Sequence, residues 1–552
     1  MGTKKNINYF ILLNLIFMTG CTDSSESNLL DGIESELHEH IRAISHDSFL
    51  GRAPATEGER LTLEYLTDYF QGLGIAPGNG DSYLQEISVT EITAVNSPGL
   101  HVIGAHIDRI YEYGTQVMLG TQRQVDQTYL NDSELLFVGY GINAPERGWN
   151  DYQGIDVTGK TVIVMVNDPG YQTQDPDLFN GNRMTYYGRW TYKYEEAARQ
   201  GAAGVLIIHE TGAAAYGWNV VQNSWSGPQI SLTDENQATD KSSVIGWLSN
   251  EVASELFEAS GLSLEEQIIK AATKGFEPLS LGDLRASTTV TNTIRTSASN
   301  NFIAIIPGSN TPDDTIIYSA HWDHLGVDEA LEGDNIYNGA VDNGSGVAAL
   351  LTIAKLYKEQ DQAPERSVVF LAVTAEESGL LGSQWYSQFP IYPLATTVAN
   401  INMDGLNVNG PMRDVVVVGD GSSELEELLS DLVGEQDGRY VSSEPYPERG
   451  YYYRSDHFNF ARVGVPAIYF ESALDHFEYG KSWGEEQQVI WNSAIYHSPK
   501  DEYNPNWDLS GTALDVELYY KLGETLSRQT NYPKWYEGNE FKFIRDLTSN
   551  ER

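Results

Sequence analysis

The sequence predicts an α/β fold with a mostly parallel central sheet covered by helices on both faces. From Asn301 onward, short apolar strands alternate with amphipathic helices, the pattern of parallel strands joined by helical crossovers. The run Ser-Val-Val-Phe-Leu-Ala-Val at 367–373 is apolar almost throughout, as expected for a strand buried on both faces. Several of these strands are followed by His, Asp or Glu, at the edge where open α/β sheets bind ligands.

Apolar runs and helical spacing give the order of elements in this second half of the chain. The predicted strands are 302–306, 315–320, 367–373, 398–403, 414–418 and 465–470. The predicted helices are 345–358, 379–388, 423–433 and 513–528.

The first half of the chain is predicted to contain a helical segment followed by a strand-rich insert. Residues 33–75 have helical spacing, with a capping box formed by Thr56 and Glu59, and 85–92 alternates as a strand does. The insert lacks His, Asp and Glu spaced as metal ligands, so we interpret it as a separate β-rich domain. Its predicted elements are strands at 135–140, 161–166 and 205–208 and a helix at 193–200.

Composition limits the partners that this protein can have. The 552 residues are enough for two or three domains, and 41% of them are hydrophobic, so a large core can form. The formal net charge of −44 is spread along the chain rather than gathered in one tail. Such a surface repels phosphates, which argues against nucleic acid as a partner.

The N-terminal residues have the pattern of an export signal. Lys4 and Lys5 precede an apolar run at 9–18, which is too short to span a bilayer, and Thr-Gly-Cys ends at Cys21. This resembles a bacterial lipoprotein signal and implies a lipid anchor at Cys21, the chain's single cysteine, as the protein's only membrane attachment, with the protein in the cell envelope facing the periplasm or the exterior. An ordinary secretory signal with an incidental cysteine is the alternative.

Five potential metal ligands follow strands or stand in loops of the predicted sheet: His321, Asp342, Glu377, Asp404 and His497. Carboxylate and imidazole groups suit a catalytic zinc that retains a water molecule. Five ligands are too many for one tetrahedral ion and fit two ions that share a bridging carboxylate. Glu376 is then a spare carboxylate, and Asp323 is close enough in sequence to orient the ring of His321.

The motifs around these residues resemble the M28 family of co-catalytic zinc peptidases. In chain order they read His-Trp-Asp-His-Leu-Gly, Asp-Asn-Gly-Ser-Gly, Ala-Glu-Glu-Ser-Gly, Asn-Met-Asp, Ser-Asp-His and Tyr-His-Ser-Pro-x-Asp. The insert resembles a protease-associated domain through Gly-Tyr-Gly-Ile at 139–142, Asp-Val-Thr-Gly-Lys-Thr-Val at 156–162 and Glu-Ala-Ala-Arg-Gln-Gly-Ala-Ala-Gly-Val at 196–205. The resemblance covers nearly all of 30–530 and implies a zinc-exopeptidase-like fold.

The resemblance also implies a role for each site residue. One zinc would be held by His321, Asp342 and Asp404, and the other by Asp342, Glu377 and His497. Glu376 would be the general base for a water bound by both ions, Tyr496 would stabilise the oxyanion, and Asp323 and Asp501 would support the two histidines. The family further implies a cis peptide between Asp342 and Asn343. His324, His457 and His476 are expected to be structural or supporting.

The expected function is the removal of N-terminal amino acids from peptides by this zinc pair. A carboxypeptidase or dipeptidase on the same fold, a single-zinc glutaminyl-cyclase-like transferase and a non-catalytic binding protein are the alternatives. The expected domains are a signal peptide at 1–20, a tether at 21–30, the N-terminal part of the peptidase domain at 31–133, the insert at 134–284, the catalytic domain at 285–535 and a tail at 536–552.

Overall fold

The structure is a computed structural model that describes residues 23–549, with side chains from residue 28 onward. The signal-peptide and lipid-anchor predictions, including Cys21, lie outside the described residues. The helices are α1 Asp23–Ile44, α2 Glu57–Gly72, α3 Pro169–Thr173, α4 Trp190–Arg199, α5 Thr211–Ala214, α6 Trp218–Ser224, α7 Asn250–Ala259, α8 Leu264–Ala271, α9 Gly344–Glu359, α10 Leu381–Gln388, α11 Leu425–Val433, α12 His457–Arg462, α13 Lys481–Ile490, α14 Ser510–Arg528 and α15 Lys542–Thr548.

The strands form two large sheets and two short hairpin ladders. They are β1 Ala76–Pro77, β2 Leu84–Ala94, β3 Leu100–Gly104, β4 Ile107–Tyr111, β5 Val117–Gly120, β6 Gln127–Phe137, β7 Asn143–Ala144, β8 Trp149–Asn150, β9 Thr161–Met165, β10 Gly204–Ile208, β11 Pro228–Leu232, β12 Val244–Leu248, β13 Leu279–Ile306, β14 Thr311–His321, β15 Gly326–Val327, β16 Ile336–Tyr337, β17 Arg366–Val373, β18 Thr397–Asn402, β19 Asp414–Val417, β20 Tyr440–Ser442 and β21 Ala467–Ser472.

The first sheet confirms the predicted fold class. Its centre is the parallel set β17–β14–β18–β21, and β13 and β2 continue it antiparallel on one side. On the other side β19 pairs antiparallel with β21 and parallel with β20. Helices α9 and α14 pack against this sheet in one core that includes Tyr318, Leu350, Phe370, Ile401 and Leu522, all fully buried.

The second sheet has the order β4–β3–β13–β6–β9–β10–β12–β5. Strands β6, β9, β10 and β12 run parallel; α4 lies in the connection from β9 to β10, and α5 and α6 lie in that from β10 to β12. The sheet therefore begins at Leu100, earlier than the boundary of 134 expected from the sequence, because β3 and β6 pair with β13 and β5 pairs with β12, rather than with the first sheet.

Strand β13 belongs to both sheets. Its first half, 279–291, pairs with β6 and β3 in the second sheet, and its second half, 292–306, pairs with β2 and β17 in the first. One uninterrupted strand of 28 residues thus joins the two parts of the molecule.

Residues 23–30, which were expected to belong to a polar tether, are helical. Helix α1 already begins at Asp23, because Leu30, Ile33, Leu37 and Ile41 give it an apolar stripe at helical spacing. Ile33, Leu37 and Ile41 are buried in the core of the first sheet. Over residues 23–549, no helix combines the length and the apolar character required to cross a bilayer.

Candidate functional site

The loops after the parallel strands of the first sheet bring the predicted ligands together. His321 is the last residue of β14, Glu376 and Glu377 follow β17, and Asp404 follows β18. Asp342 precedes α9, and the predicted cis peptide between Asp342 and Asn343 is present. All of them meet at the carboxyl edge of the sheet, as expected for parallel strands.

Asp342 lies between two histidines and presents one carboxylate oxygen to each. Its Oδ1 is 3.3 Å from Nε2 of His321, and its Oδ2 is 3.2 Å from Nε2 of His497. Asp404 completes the first group, with Oδ1 3.1 Å from Nε2 of His321, and Glu377 completes the second, with Oε2 3.1 Å from Nε2 of His497. This is the geometry of a carboxylate that bridges two ions.

His324 joins the second group, although sequence reasoning assigned it only a supporting role. Its Nδ1 lies 2.6 Å from Oε1 of Glu377, and its ligand atom lies within 4.8 Å of those of Asp342 and Glu377. Nε2 of His324 is buried without a hydrogen-bond partner. The second histidine in His-Trp-Asp-His was the signal that pointed to it, but proximity in sequence could not show that its ring turns toward Glu377.

The donor set fits cations. Burial opposes the protonation of His321, yet the charges of Asp404 and Glu376 raise the pKa of its ring well above the usual value. Burial likewise opposes protonation of His497, and its hydrogen bonds to Asp342 and Glu377 raise its pKa to about 10. These buried carboxylates therefore draw positive charge toward the histidine nitrogens, which are the atoms that would contact a metal ion.

Two acidic residues were expected to support the histidines, and both bind backbone amides. Asp323 also lies beside His321, with Oδ1 3.8 Å from Nδ1 of the ring. Nδ1 of His321 lies 3.1 Å from the backbone oxygen of Asp323, whose carboxylate accepts a hydrogen bond from the amide of Glu376 at 3.1 Å. Asp501 accepts from the amides of Val341 and Asp342 at 2.9 and 3.0 Å rather than contacting His497. Both carboxylates thus fix the loops that carry Glu376 and Asp342, because those loops have unpaired amides that must be satisfied when buried.

Asp404 is held by a chain of hydroxyl and amide groups. Ser455 donates from Oγ to Oδ2 of Asp404 at 2.6 Å, and Asn402 donates from Nδ2 to Oγ of Ser455 at 2.7 Å. Tyr469 donates to the backbone oxygen of Asp404 at 2.7 Å. One oxygen of the carboxylate, Oδ1, is left facing His321.

Tyr496 stands at the rim of the site. Its ring stacks on that of His497, with centroids 3.9 Å apart, and 48% of the residue is exposed. Burial of its hydroxyl and the neighbouring carboxylates, Asp342 first among them, raise its pKa above the usual value, so the group is a proton donor at neutral pH. Its role at an oxyanion stays a prediction.

Arg52 fixes the loops beneath the site, and the sequence did not identify it. Its buried guanidinium donates to the backbone oxygens of Ile44, Trp322, Asn338 and Gly339 at 2.6–3.0 Å. Gly51 before it has φ +63°, and a Cβ there would lie 2.4 Å from the backbone oxygen of Gly326, so only glycine fits.

Replacing Arg52 by Met is expected to destabilise the protein by about 3–5 kcal/mol, because four buried carbonyl groups lose their donor. The urea midpoint of unfolding should fall accordingly. Arg60→Met is the matched control, since Arg60 is half exposed and, among the residues that the structure describes, forms ion pairs with Glu57 and Glu64 alone. Equal midpoints for the two variants would show that Arg52 does not stabilise these loops.

Comparison with known proteins matches the part of the chain that carries the predicted site residues. Residues 301–520 match the model of peptidase family M28. The chain is 35% identical over 139 residues to the aminopeptidase NAALADL1 of Mus musculus and 31% identical over 122 residues to a probable glutamate carboxypeptidase of Arthroderma benhamiae. These alignments cover 24% and 19% of this chain and only 17% and 16% of the relatives.

Among solved structures, aminopeptidases of similar overall size align over most of this chain. An aminopeptidase from Aneurinibacillus sp. strain AM-1 aligns at TM-score 0.46 and 18% identity over 90% of this chain and 92% of its own. The zinc aminopeptidase BSAP of Bacillus subtilis aligns at TM-score 0.37 and 17% identity over 90% and 94%. All nine predicted site residues lie inside the segment 301–520, which matches the model of peptidase family M28.

Proposed function

We propose that this protein is a two-zinc aminopeptidase that hydrolyses N-terminal residues from peptides at the cell envelope. The observation that carries the proposal is the placement of Asp342, whose two oxygens lie 3.3 and 3.2 Å from the ring nitrogens of His321 and His497. A single-zinc transferase needs one group of ligands. Here there are two groups, because Asp404 completes the group at His321 and Glu377 completes the group at His497.

His321, Asp342 and Asp404 would hold one zinc, and Asp342, Glu377 and His497, with His324 adjacent, would hold the other. When bound, such a pair acidifies a water molecule and polarises the peptide carbonyl. Proton transfer then depends on the protein's own side chains. Glu376 is the proposed proton-transfer group. The proposal is supported by its Oε2, 4.0 Å from Nε2 of His321, and by its backbone amide, which the Asp323 carboxylate fixes.

Burial, with the charges of Asp404, Glu377 and Asp456, raises the pKa of Glu376 well above its ordinary value, while His321 opposes the shift. A carboxylate with a raised pKa is a stronger base, so it can accept a proton from water and return it to the leaving amine. Tyr496 is the proposed hydrogen-bond donor to the oxygen that becomes negative.

The acidic surroundings of the site favour a substrate with a free α-amine. Glu471 is partly buried near Asp404, and burial together with the charges of Asp404 and Glu444 raises its pKa to about 8. Its Oε2 accepts from the hydroxyl of Tyr469 at 3.4 Å. A substrate ammonium group beside Glu471 would reduce the repulsion between the carboxylates of Glu471, Asp404 and Glu444. This supports aminopeptidase over carboxypeptidase action.

A substrate panel with metal analysis on the same sample tests the proposal. Peptides with a free amine should be cleaved from the N-terminus, and their N-acetylated counterparts should not, with two zinc ions per chain in the active preparation. Cleavage of the acetylated peptides from the C-terminus would instead indicate a carboxypeptidase. A stoichiometry near one zinc ion per chain would instead indicate a transferase.

Removal of metal is expected to abolish activity and to lower the melting temperature, because ions that bind only the folded state stabilise it by mass action. Addition of Zn²⁺ after the chelator is removed should restore both. The measurements are hydrolysis of a leucine anilide and differential scanning calorimetry before and after dialysis. Activity that persists with less than one ion in ten chains would exclude a metal mechanism.

A further inference from the structure

The carboxylate of Glu59 is buried, far in sequence from the predicted site residues. Glu59 stands in the first turn of α2, and only 5% of the residue is exposed. Its Oε2 accepts hydrogen bonds from the amide of Ala55 at 2.6 Å and from Oγ of Ser299 at 2.8 Å. Its Oε1 accepts from Nδ2 of Asn300 at 3.0 Å. An acid in the first turn of a helix is common, but two of these three donors belong to β13, a distant part of the chain.

Ser299 extends this contact to the residue that follows β17. Its Oγ lies 2.6 Å from Oγ1 of Thr374, and both hydroxyl residues are fully buried. Because Ser299 donates its only hydroxyl proton to Glu59, Thr374 is the donor to Ser299. A directed chain of hydrogen bonds therefore runs from Thr374 through Ser299 to Glu59. The negative charge at its end strengthens the bond that it accepts.

The turn after β17, which carries Glu376 and Glu377, is closed by Asn301. Oδ1 of Asn301 accepts from the amide of Thr374 at 3.1 Å, and its Nδ2 donates to the backbone oxygen of Gly382 at 2.9 Å. The amide of Gly382 donates to the backbone oxygen of Thr374 at 2.9 Å. A Cβ on Gly382 would lie 2.3 Å from that oxygen, so only glycine fits there. Thr374 is thus held through its amide, its carbonyl and its hydroxyl.

Ala375, between Thr374 and Glu376, has a left-handed backbone with φ +52°. Alanine is disfavoured in this region because its Cβ approaches the following carbonyl oxygen. Such a conformation persists only where the surrounding contacts hold it, and the bonds to Thr374 act one residue before it. If Thr374 were released, Ala375 would relax toward ordinary backbone angles and turn the following carboxylate away.

We propose that Glu59 is a positioning residue for the proposed general base, Glu376. It acts through the hydroxyl groups of Ser299 and Thr374, because its charge orients both. The turn held in this way keeps Oε2 of Glu376 4.0 Å from Nε2 of His321. A base that is already in place does not have to be organised in each turnover. The inference rests on the proposed function and adds to it a residue from the first half of the chain.

Thr374→Val removes the hydroxyl with little change in shape and is the most direct test. This variant should lose about tenfold or more in kcat on a leucine anilide, with KM near the wild-type value and two zinc ions per chain, because only the base is displaced. Thr374→Ser restores the hydroxyl and should recover most of the lost kcat. A serine variant as slow as the valine variant would overturn the inference.

Glu59→Gln tests the other end of the chain of hydrogen bonds. Glutamine keeps the shape but has one acceptor oxygen where the carboxylate has two, so kcat should again fall at constant KM. Because both groups act through Ser299, the double variant Glu59→Gln/Thr374→Val should lose little more than the worse single variant. Losses that multiply would show two independent effects and would reject the connection.

Thr352→Val is the matched control for removal of a buried hydroxyl. Thr352 lies in α9, is 1% exposed and donates to the backbone oxygen of Ala348 at 2.8 Å. Its replacement should leave kcat and KM as in the wild type. The melting temperature of every variant is measured in parallel. A loss of kcat in Thr352→Val equal to that in Thr374→Val would show a general effect of core hydroxyls and would contradict the inference.

Hydrogen exchange separates this inference from the proposed function. In the wild type the amide of Glu376 donates to Asp323, and the amides of Gly379 and Leu380 donate to the backbone oxygen of Glu376. These amides should exchange faster in Thr374→Val, while those of β14 and β18 stay as protected as before. If the wild type cleaved no peptide, the proposed function would fail, and this local change would still support the positioning role. Unchanged exchange in the turn, or an equal rise throughout the sheet, would reject it.

Discussion

Glu376→Gln is expected to reduce kcat by about 10²–10⁴-fold while zinc content and KM stay close to those of the wild type. The amide has nearly the same shape as the carboxylate but cannot accept the proton of the attacking water. Glu376 lies at 4.0 Å from His321 and outside the groups of potential ligands around Asp342, so its replacement should leave metal binding intact.

The neighbouring residue provides the informative comparison. Glu377 contacts both His324 and His497, so Glu377→Gln should lose metal together with activity. Glu359→Gln, at the exposed end of α9, is the control for the loss of one negative charge. Turnover within threefold of wild type in Glu376→Gln, at full metal content, would remove Glu376 as the general base.

Asp342→Asn is the second substitution with a very large expected effect. An asparagine offers one neutral oxygen where the native residue presents two charged ones, so it cannot serve both ligand groups. Loss of the metal pair removes several kcal/mol of transition-state stabilisation, which is on the order of a hundredfold or more in rate. Zinc content by mass spectrometry and kcat/KM should fall together.

Asp334→Asn is the matched control for this substitution. Asp334 is exposed on the loop between β15 and β16, so its charge is removed in the same region without touching the ligands. Two bound ions and unchanged kcat/KM in Asp342→Asn would show that this carboxylate does not bridge the metals.

The alternation of strands and helices was sufficient to predict the first sheet. Strands β14, β17 and β18 are buried on both faces over most of their length, and each ends in His or is followed closely by Asp or Glu. The sequence alone therefore located both the strands and the edge of the sheet at which the ligands meet. Asp342 and His497 lie in loops, and the resemblance to a known family, rather than periodicity, assigned them to the site.

The parts that sequence did not predict depend on contacts between distant segments. Strands β3, β5 and β6 have the composition of ordinary strands. That composition does not show that β3 and β6 pair with β13, or that β5 pairs with β12, rather than with β2. Arg52 lies 270 positions before Trp322, whose backbone oxygen it contacts, and a single arginine in a turn carries no local signal. The orientation of His324 depends in the same way on the fold around Glu377.

Strand β13 restricts how this chain can be divided. A fragment that ended between residues 291 and 292 would separate the sheets. It would also remove the eleven consecutive residues of β13 that pair with β2, Asn292 to Phe302. The bared edge of β2 would then offer its amides and carbonyls to any extended chain nearby, as aggregation-prone proteins do. The protein avoids this hazard while both of its parts remain on one polypeptide.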